Sequence, residues 1–178
     1  MKVIDNVIPD KYSQFLFDEI CRLKWTFVPN LSHSDRNDTN YAGFSFNFFL
    51  HKMLSNNKEE VRTPEYSYII PLLLQCFEKL DLDRNIENVF RSRVRLTIQK
   101  DKEEIESPHV DYPIPHLVLL YYINTTDGDT LFLENNKIVD RVSPKRGRCV
   151  LFDGSVLHSS SSSTLSPRLI LNNNIFKS

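Results

Sequence analysis

Residues 107–124 read SPHVDYPIPHLVLLYYIN, and this stretch contains the pattern that decides the fold. Its second part, residues 116–123, is a short apolar and aromatic run that is typical of a buried strand. Further short apolar segments follow, separated by turn signals such as Asp127-Gly128, which favours a β-hairpin. Many short strands at regular spacing predict a β-sandwich or barrel.

The chain before this strand-rich part shows helical periodicity. Apolar residues at amphipathic spacing predict a helix over residues 10–23 and another over residues 67–80. Pro71 fits the first turn of the second helix, where no intrahelical hydrogen bond is lost, or else it kinks that helix. Residues 44–49 alternate imperfectly and predict a strand, whereas residues 30–40 are polar and predict a loop.

These patterns predict a single domain over residues 1–178, since no repeat or linker divides the chain. We expect a mainly β protein with flanking helices, in which residues 1–88 support a jelly-roll core formed by residues 89–178. A chain of 178 residues is long enough to bury a core of this kind.

His109 and Asp111 place an imidazole and a carboxylate on the same face of an extended strand, because side chains alternate with a period of two. His158, on a distant predicted strand, can complete three ligands on one face of an octahedral metal, as in non-haem Fe(II) oxygenases. Arg168 follows ten residues later and would supply a cation in the same barrel. A short His-x-acid motif also arises by chance, so its meaning depends on the surrounding sequence.

Five segments after residue 88 supply that context, in the order SPHVDYP, LVLLYYIN, DGDTLFL, VSPKRGRCVLFDGSVLHSS and PRLILNNNIF. Together they resemble the double-stranded β-helix core of the Fe(II)/2-oxoglutarate-dependent oxygenases, nearest to the prolyl-4-hydroxylase-like branch and its small phage-type relatives. The first 88 residues match this family only loosely. The resemblance implies a dioxygenase that uses Fe(II), 2-oxoglutarate and O2, and couples oxidative decarboxylation of 2-oxoglutarate to succinate with C–H hydroxylation.

The same resemblance implies roles for individual residues. His109, Asp111 and His158 would bind Fe(II). Arg168 would pair with the distal carboxylate of 2-oxoglutarate, where its planar guanidinium suits bidentate recognition.

Other residues are expected near the co-substrate or the substrate. The resemblance implies that Tyr122 hydrogen-bonds the distal carboxylate of 2-oxoglutarate, with Tyr121 as the alternative if the strand faces the other way, and that Thr130 reaches the same region. If Arg168 points inward, Asn172 and Asn174 do so as well, because of the period of two. We expect Asn172 near the co-substrate and Asn174 near the substrate pocket, unless Asn174 lies in solvent at the strand end.

The expected reaction is a hydroxylation or demethylation, because related halogenases lack the carboxylate of Asp111. The substrate is expected to be a peptidyl residue such as proline, or a small molecule. One alternative is a nucleic-acid dealkylase of the same superfamily, which the absence of a second arginine after Arg168 disfavours. Another alternative is a non-catalytic jelly-roll binding module, although such a protein would normally have lost a metal ligand.

Three arginines alternate along the strand predicted for residues 90–99, at positions 91, 93 and 95. The favoured interpretation is a solvated outer face, because exposed charge on strands is common. Acidic residues that follow could pair with this face, namely Glu103, Glu104 and Glu106. The alternative is a basic surface for phosphate or nucleic acid.

The composition sets the remaining expectations. A net charge of −1 gives no general attraction to nucleic acid or acidic membranes. Cys21, Cys76 and Cys149 are widely spaced and predict free thiols in a reducing compartment. No signal peptide or membrane span is visible. We therefore expect a cytoplasmic protein that acts on a small molecule or peptide, without nucleic acid or membrane as partner and with its oligomeric state open.

Overall fold

A computed structural model of the chain describes residues 1–31, 41–56 and 58–177. The described part contains two α-helices, α1 (Asp10–Cys21) and α2 (Tyr66–Lys79), and a short 3-10 helix (Ile86–Asn88). Its strands are β1 (Lys2–Ile4), β2 (Thr26–Val28), β3 (Gly43–Leu50), β4 (Val61–Arg62), β5 (Val89–Thr97), β6 (His116–Tyr122), β7 (Thr130–Glu134), β8 (Lys137–Val142), β9 (Cys149–Asp153), β10 (His158–Ser160) and β11 (Arg168–Phe176).

The strands form two antiparallel sheets. The large sheet has the order β1-β9-β6-β11-β5-β3-β2, with β4 paired to β3, and the small sheet has the order β10-β7-β8. Strands from the first 88 residues therefore extend the large sheet at both edges. The predicted mainly β fold with a jelly-roll core and flanking helices is confirmed.

The large sheet is covered on both faces, because its strands are apolar on both sides. Along β6, Val118, Leu120 and Tyr122 belong to the apolar cluster between the two sheets. The alternate residues Leu119 and Tyr121 belong to the larger cluster that includes the buried side chains of both helices. This two-sided burial follows from the period of two.

Two local predictions were wrong. Asp127-Gly128 does not close a hairpin, because the strands on either side of it, β6 and β7, lie in different sheets. The hairpin joins β7 to β8 instead, at Asn135 and Asn136, whose positive φ angles of 50° and 61° are those of a type I′ turn. Pro71 lies inside α2 and beyond its first turn, which contradicts the first of the two placements predicted for it.

Of the loop predicted over residues 30–40, residues 32–40 lie outside the described part. Within the described residues, neither helix is long and apolar enough to cross a membrane.

Candidate metal centre and adjoining cleft

Two backbone hydrogen bonds bring the predicted histidines together. The N–H of His109 donates to the carbonyl of His158 over 2.9 Å, and the N–H of His158 donates to the carbonyl of His109 over 3.0 Å. The two imidazole rings lie 4.8 Å apart between centroids. Asp111 lies two residues after His109, and the ligand atoms of all three side chains lie within 4.8 Å of one another. Metal bonds of about 2.1 Å would draw these atoms closer together, to roughly 3 Å from one another around an octahedral ion.

Both histidines present the nitrogen that a metal needs. Nδ1 of His109 lies 3.2 Å from the carbonyl oxygen of Ser107, and Nδ1 of His158 lies 2.9 Å from that of Val156. An Nδ1–H that donates to a carbonyl leaves the Nε2 lone pair free for a ligand bond. Burial lowers the pKa of His109 to about 4 and also lowers the pKa of His158, so both rings are neutral at pH 7.

Asp111 is held as a charged carboxylate by four side chains. Burial alone would raise its pKa, but the guanidinium groups of Arg91 and Arg93 outweigh this and hold the pKa well below its usual range. Nη2 of Arg91 lies 3.1 Å from Oδ1 of Asp111, and Nη2 of Arg93 lies 3.7 Å from the same oxygen. Nδ2 of Asn174 and Nδ2 of Asn172 donate to Oδ2 over 2.8 and 3.2 Å. The two amides occupy Oδ2, whereas Oδ1 accepts no hydrogen bond from Nη2 of either arginine and retains a lone pair for a metal.

The two asparagines therefore point inward, as the period of two predicts. Asn174 is fully buried, so the alternative of a solvent-exposed strand end is wrong. Asn172 lines the cleft beside the histidines, whereas the contact of Asn174 is with Asp111. Their amide groups orient the carboxylate, a contact that strand periodicity alone does not predict.

Arg168 lies in the same cleft, with Thr130 and Tyr122 beside it. Its Nη2 donates to Oγ1 of Thr130 over 2.7 Å, and the hydroxyl of Tyr122 donates to the same oxygen over 2.7 Å. The residue is 2% exposed, and its guanidinium pairs with no carboxylate of the residues that the structure describes. Its Nε has no hydrogen-bond partner within the same set. A buried guanidinium without an anionic partner is costly, so this cleft is suited to an anion.

The expectation that Tyr121 contributes to the site is wrong. Its hydroxyl donates to Oγ of Ser13 in α1 over 3.1 Å, on the helix-covered face of the large sheet. Consecutive residues of a strand point to opposite faces, so Tyr121 and Tyr122 cannot both face the cleft.

The interpretation of Arg91, Arg93 and Arg95 as a solvated outer face is also wrong. All three are at least 93% buried and lie on the same face of β5 as the metal cleft. The acidic residues expected to pair with them behave differently: Glu103 pairs with Arg141, Glu104 pairs with Lys100, and only Glu106 is buried near Arg95.

Strand pairing explains this result. β5 is a central strand, and Arg91, Arg93 and Arg95 lie directly opposite Asn174, Asn172 and Ile170 of β11. Residues opposite each other in an antiparallel pair project to the same face. The sequence predicts that Asn172 and Asn174 of β11 face inward. It does not show that β5 pairs with β11, and this pairing is what turns the arginines inward.

The cleft combines these groups in one space. It contains about 420 Å³, open solvent at its mouth included. The polar side chains that line it include His109, His158, Arg168, Thr130, Arg95 and Glu106. Burial raises the pKa of Glu106, which Arg95 partly opposes.

The amino-acid sequence matches no protein-family model and no curated protein. The structure, in contrast, is similar to several solved structures. An oxidoreductase of the 2OG-Fe(II) oxygenase family from Burkholderia pseudomallei superposes with a TM-score of 0.67 at 12% identity, over 90% of this chain and 77% of that one. A prolyl-4-hydroxylase from Pseudomonas putida gives a TM-score of 0.61 at 13% identity, over 99% and 92% of the two chains.

A prolyl hydroxylase from Trichoplax adhaerens, solved with a peptide fragment of the hypoxia inducible factor oxygen degradation domain, gives a TM-score of 0.62 at 16% identity. The match covers 98% of this chain and 82% of that one. The chain therefore has the fold of the 2-oxoglutarate-dependent oxygenases, including that of their prolyl-4-hydroxylase branch.

Proposed function

We propose that this protein is an Fe(II)- and 2-oxoglutarate-dependent dioxygenase of the hydroxylase type. One observation carries the proposal: the buried guanidinium of Arg168, which has no carboxylate partner among the described residues, shares a cleft with His109 and His158, whose ligand atoms lie within 4.8 Å of those of Asp111. A metal ion would bind to the three ligand side chains, and a dianionic co-substrate would supply the anion that Arg168 lacks. The shared fold supports this proposal.

The donor atoms fit Fe(II). Nε2 of His109, Nε2 of His158 and one oxygen of Asp111 would bind the ion, and this 2-His-1-carboxylate set leaves the remaining positions open. When bound, Fe(II) would supply the activation of O2 that couples oxidative decarboxylation of 2-oxoglutarate, to succinate and CO2, with hydroxylation of the substrate. The histidines need to lose no proton to bind, because their low pKa keeps them neutral at pH 7.

The part of the cleft around Arg168, away from the proposed metal ligands, would orient the co-substrate. Arg168 would bind the distal carboxylate of 2-oxoglutarate, and Thr130 and Tyr122 hold its guanidinium in place through the shared Oγ1. Asn172 lines the same cleft as Arg168 and the two histidines. Asn172 and Asn174 would also keep Asp111 oriented toward the ion.

We propose that the substrate is either a peptidyl residue of the prolyl kind or a small molecule. The similarity to a prolyl-4-hydroxylase, and to a prolyl hydroxylase that binds a peptide, supports a substrate of this range. We also propose that residues 1–178 act as one domain, because strands from before residue 88 flank the strands that follow it at both edges of the large sheet.

The proposal is tested by anaerobic addition of Fe(II) and 2-oxoglutarate to the purified protein. We expect a visible charge-transfer band that His109→Ala and Asp111→Ala abolish, and succinate release once O2 is admitted. Absence of the band in the native protein would overturn the co-substrate assignment. A band without any succinate release would indicate a binding module that has no turnover. The variant Lys137→Ala, exposed on β8, serves as control and is expected to keep the band.

A further inference from the structure

The buried arginines of β5 carry more positive charge than the carboxylates around the proposed metal site can balance. The inner face contains four buried guanidinium groups and two buried carboxyl groups: Arg91, Arg93, Arg95, Arg168, Asp111 and Glu106. A divalent ion and dianionic 2-oxoglutarate would add charges that cancel each other. The excess of two positive charges would therefore persist in the loaded site, in an environment where unpaired charge is costly.

The excess lies at Arg93 and Arg95. Arg91 has the closer anionic partner, because its Nη2 lies 3.1 Å from Oδ1 of Asp111; its Nη1 also donates to the hydroxyl of Tyr112 over 3.0 Å, and its guanidinium stacks on that ring at 4.6 Å. Its Nε and Nη2 donate no hydrogen bond to any described residue, so the difference from Arg93 lies in the ion pair and in Tyr112. Arg93 has only the distant contact of 3.7 Å with Asp111, and its Nε and Nη2 donate no hydrogen bond to any described residue. The Nε of Arg95 likewise has no partner in the described part of the chain.

Both arginines line a second cleft next to the metal cleft, which contains about 890 Å³ with the open solvent at its mouth included. Arg95 lines both spaces, so the two clefts adjoin at this side chain. The outer wall of the second cleft comes from β2, β3 and the residues next to them, and its polar members are Lys24, Thr26, Asn30, Ser45 and Asn47. The described lining residues include three cations and no acidic residue.

This second cleft is distinct from the position proposed for 2-oxoglutarate. Arg168 pairs with Thr97 in the strand register, whereas Arg93 pairs with Asn172. Thr97 and Arg93 lie four positions apart on β5, which corresponds to roughly 13 Å along an extended strand. Arg93 therefore lies at the level of Asp111, where a substrate would meet the metal, and Arg168 lies farther along the cleft.

From this arrangement we infer that the substrate carries a terminal anionic group, a carboxylate or a phosphate monoester, which Arg93 and Arg95 bind in the second cleft. The inference rests on the proposed oxygenase function and specifies its substrate class. Planar guanidinium groups suit such groups, because both offer paired oxygen acceptors. Both arginines are at least 93% buried, so the anion has to reach the floor of the cleft. A terminal group can reach the floor end-on, whereas a phosphodiester would have to bring both flanking sugars into the cleft with it.

The test measures anion binding separately from turnover. The full chain is loaded with Mn(II) in place of Fe(II) and with saturating 2-oxoglutarate, and then titrated calorimetrically with acetate, methyl phosphate or neutral acetamide at constant ionic strength. We expect saturable binding of at least one anion and none of acetamide. Arg93→Gln and Arg95→Gln should each weaken anion binding at least tenfold, whereas Arg141→Gln, on the small sheet, should leave it unchanged.

Arg93→Lys distinguishes loss of the site from loss of folding. It keeps the charge beside Asp111 but removes the planar pair of donors, so it should fold and still bind the anion more weakly than the native protein. Equal anion affinity in the native protein and in both glutamine variants would overturn the inference, and so would the absence of saturable binding. Competition between the anion and 2-oxoglutarate would place the anion at Arg168 and overturn it as well.

The outcomes also separate this inference from the oxygenase proposal. Succinate release without anion binding at Arg93 and Arg95 would retain the oxygenase and reject the anionic substrate. Anion binding at these residues without succinate release would reject the oxygenase. Binding of a single-stranded oligonucleotide without terminal phosphate, in the absence of acetate or methyl phosphate binding, would assign the cleft to nucleic acid and contradict the inference.

Discussion

Nδ2 of Asn174 donates to Oδ2 of Asp111 over 2.8 Å, between two side chains that are both almost completely buried. The bond joins β11, the last strand in the chain and a central strand of the large sheet, to the segment that carries two of the three proposed ligands. It fixes the orientation of the carboxylate before any metal arrives. A residue 63 positions away in the chain thus prepares the metal centre.

Loss of this bond should weaken metal binding. We expect Asn174→Ala to lower the affinity for Fe(II) or Mn(II) about 10- to 100-fold, the usual effect of removing a partner that orients a ligand. Anaerobic metal titration measures the change. The neighbouring Asn173 is the matched control, because it faces the other side of the strand and donates to the carbonyl of Leu119. Asn173→Ala should lower stability and leave metal affinity unchanged.

The two adjacent tyrosines of β6 should respond in opposite ways. Tyr122→Phe removes the hydroxyl that supports Thr130 and Arg168, so we expect about a 3- to 10-fold loss of 2-oxoglutarate affinity, the range for one hydrogen bond. Tyr121→Phe removes only the contact with Ser13 and should leave that affinity unchanged. Titration of the Mn(II)-loaded protein with 2-oxoglutarate measures both. Equal effects of the two variants would contradict the assigned strand facing.

Arg168 should not tolerate replacement by lysine. An ammonium group cannot reproduce the planar pair of donors, and it would lose the geometry of the bond to Thr130. We expect Arg168→Lys to raise the KM for 2-oxoglutarate at least tenfold with a smaller change in kcat. The measurement is succinate release as a function of 2-oxoglutarate concentration. An unchanged KM would show that the co-substrate carboxylate lies elsewhere.

Asp111→Asn should destabilise the metal-free protein as well as remove metal binding. The variant leaves Arg91 and Arg93 buried without their anionic partner. Breaking a buried ion pair in this way costs about 3 kcal/mol of unfolding free energy or more. Urea denaturation of the metal-free variants gives the value. His109→Gln, which leaves those ion pairs intact, provides the comparison and should cost less.

Asp127 should stabilise the loop before Arg168 in a pH-dependent way. It accepts hydrogen bonds from Ser163 Oγ and Thr164 Oγ1, both at 2.5 Å, and from the backbone N–H groups of Thr164 and Leu165. Burial raises the pKa of Asp127, but these bonds outweigh it and lower the pKa below its ordinary value of 3.8. Its stabilisation is therefore complete well above pH 3.8 and is lost as the pH falls below that value.

We accordingly expect Asp127→Asn to lower the unfolding free energy by about 1–3 kcal/mol at pH 7, the range for hydrogen bonds to a charged group. The difference from the native protein should shrink as the pH falls from 4 toward 2. Denaturation curves at several pH values provide the measurement. A difference that grows on acidification would contradict the assigned role of the charged carboxylate.

Local pattern was enough to predict much of the fold. The strand β6 (His116–Tyr122) ends within one residue of the predicted range 116–123, because a short apolar and aromatic run is typical of a buried strand. The Asp127-Gly128 turn was assigned wrongly, because a turn signal shows that the chain reverses but not which strands then pair. The hairpin at Asn135 and Asn136 has the same local chemistry and does close a strand pair.

The amino-acid sequence by itself determined which residues can serve as ligands, and which of them share a strand face, because the period of two is a property of the extended backbone. It therefore placed His109 with Asp111, and Arg168 with Asn172. Only the tertiary structure decided what lies opposite each face. The pairing of β5 with β11 turned Arg93 and Arg95 inward. Burial then made their charges costly to leave without an anionic partner, because a guanidinium in solvent is stabilised by water and a buried one is not.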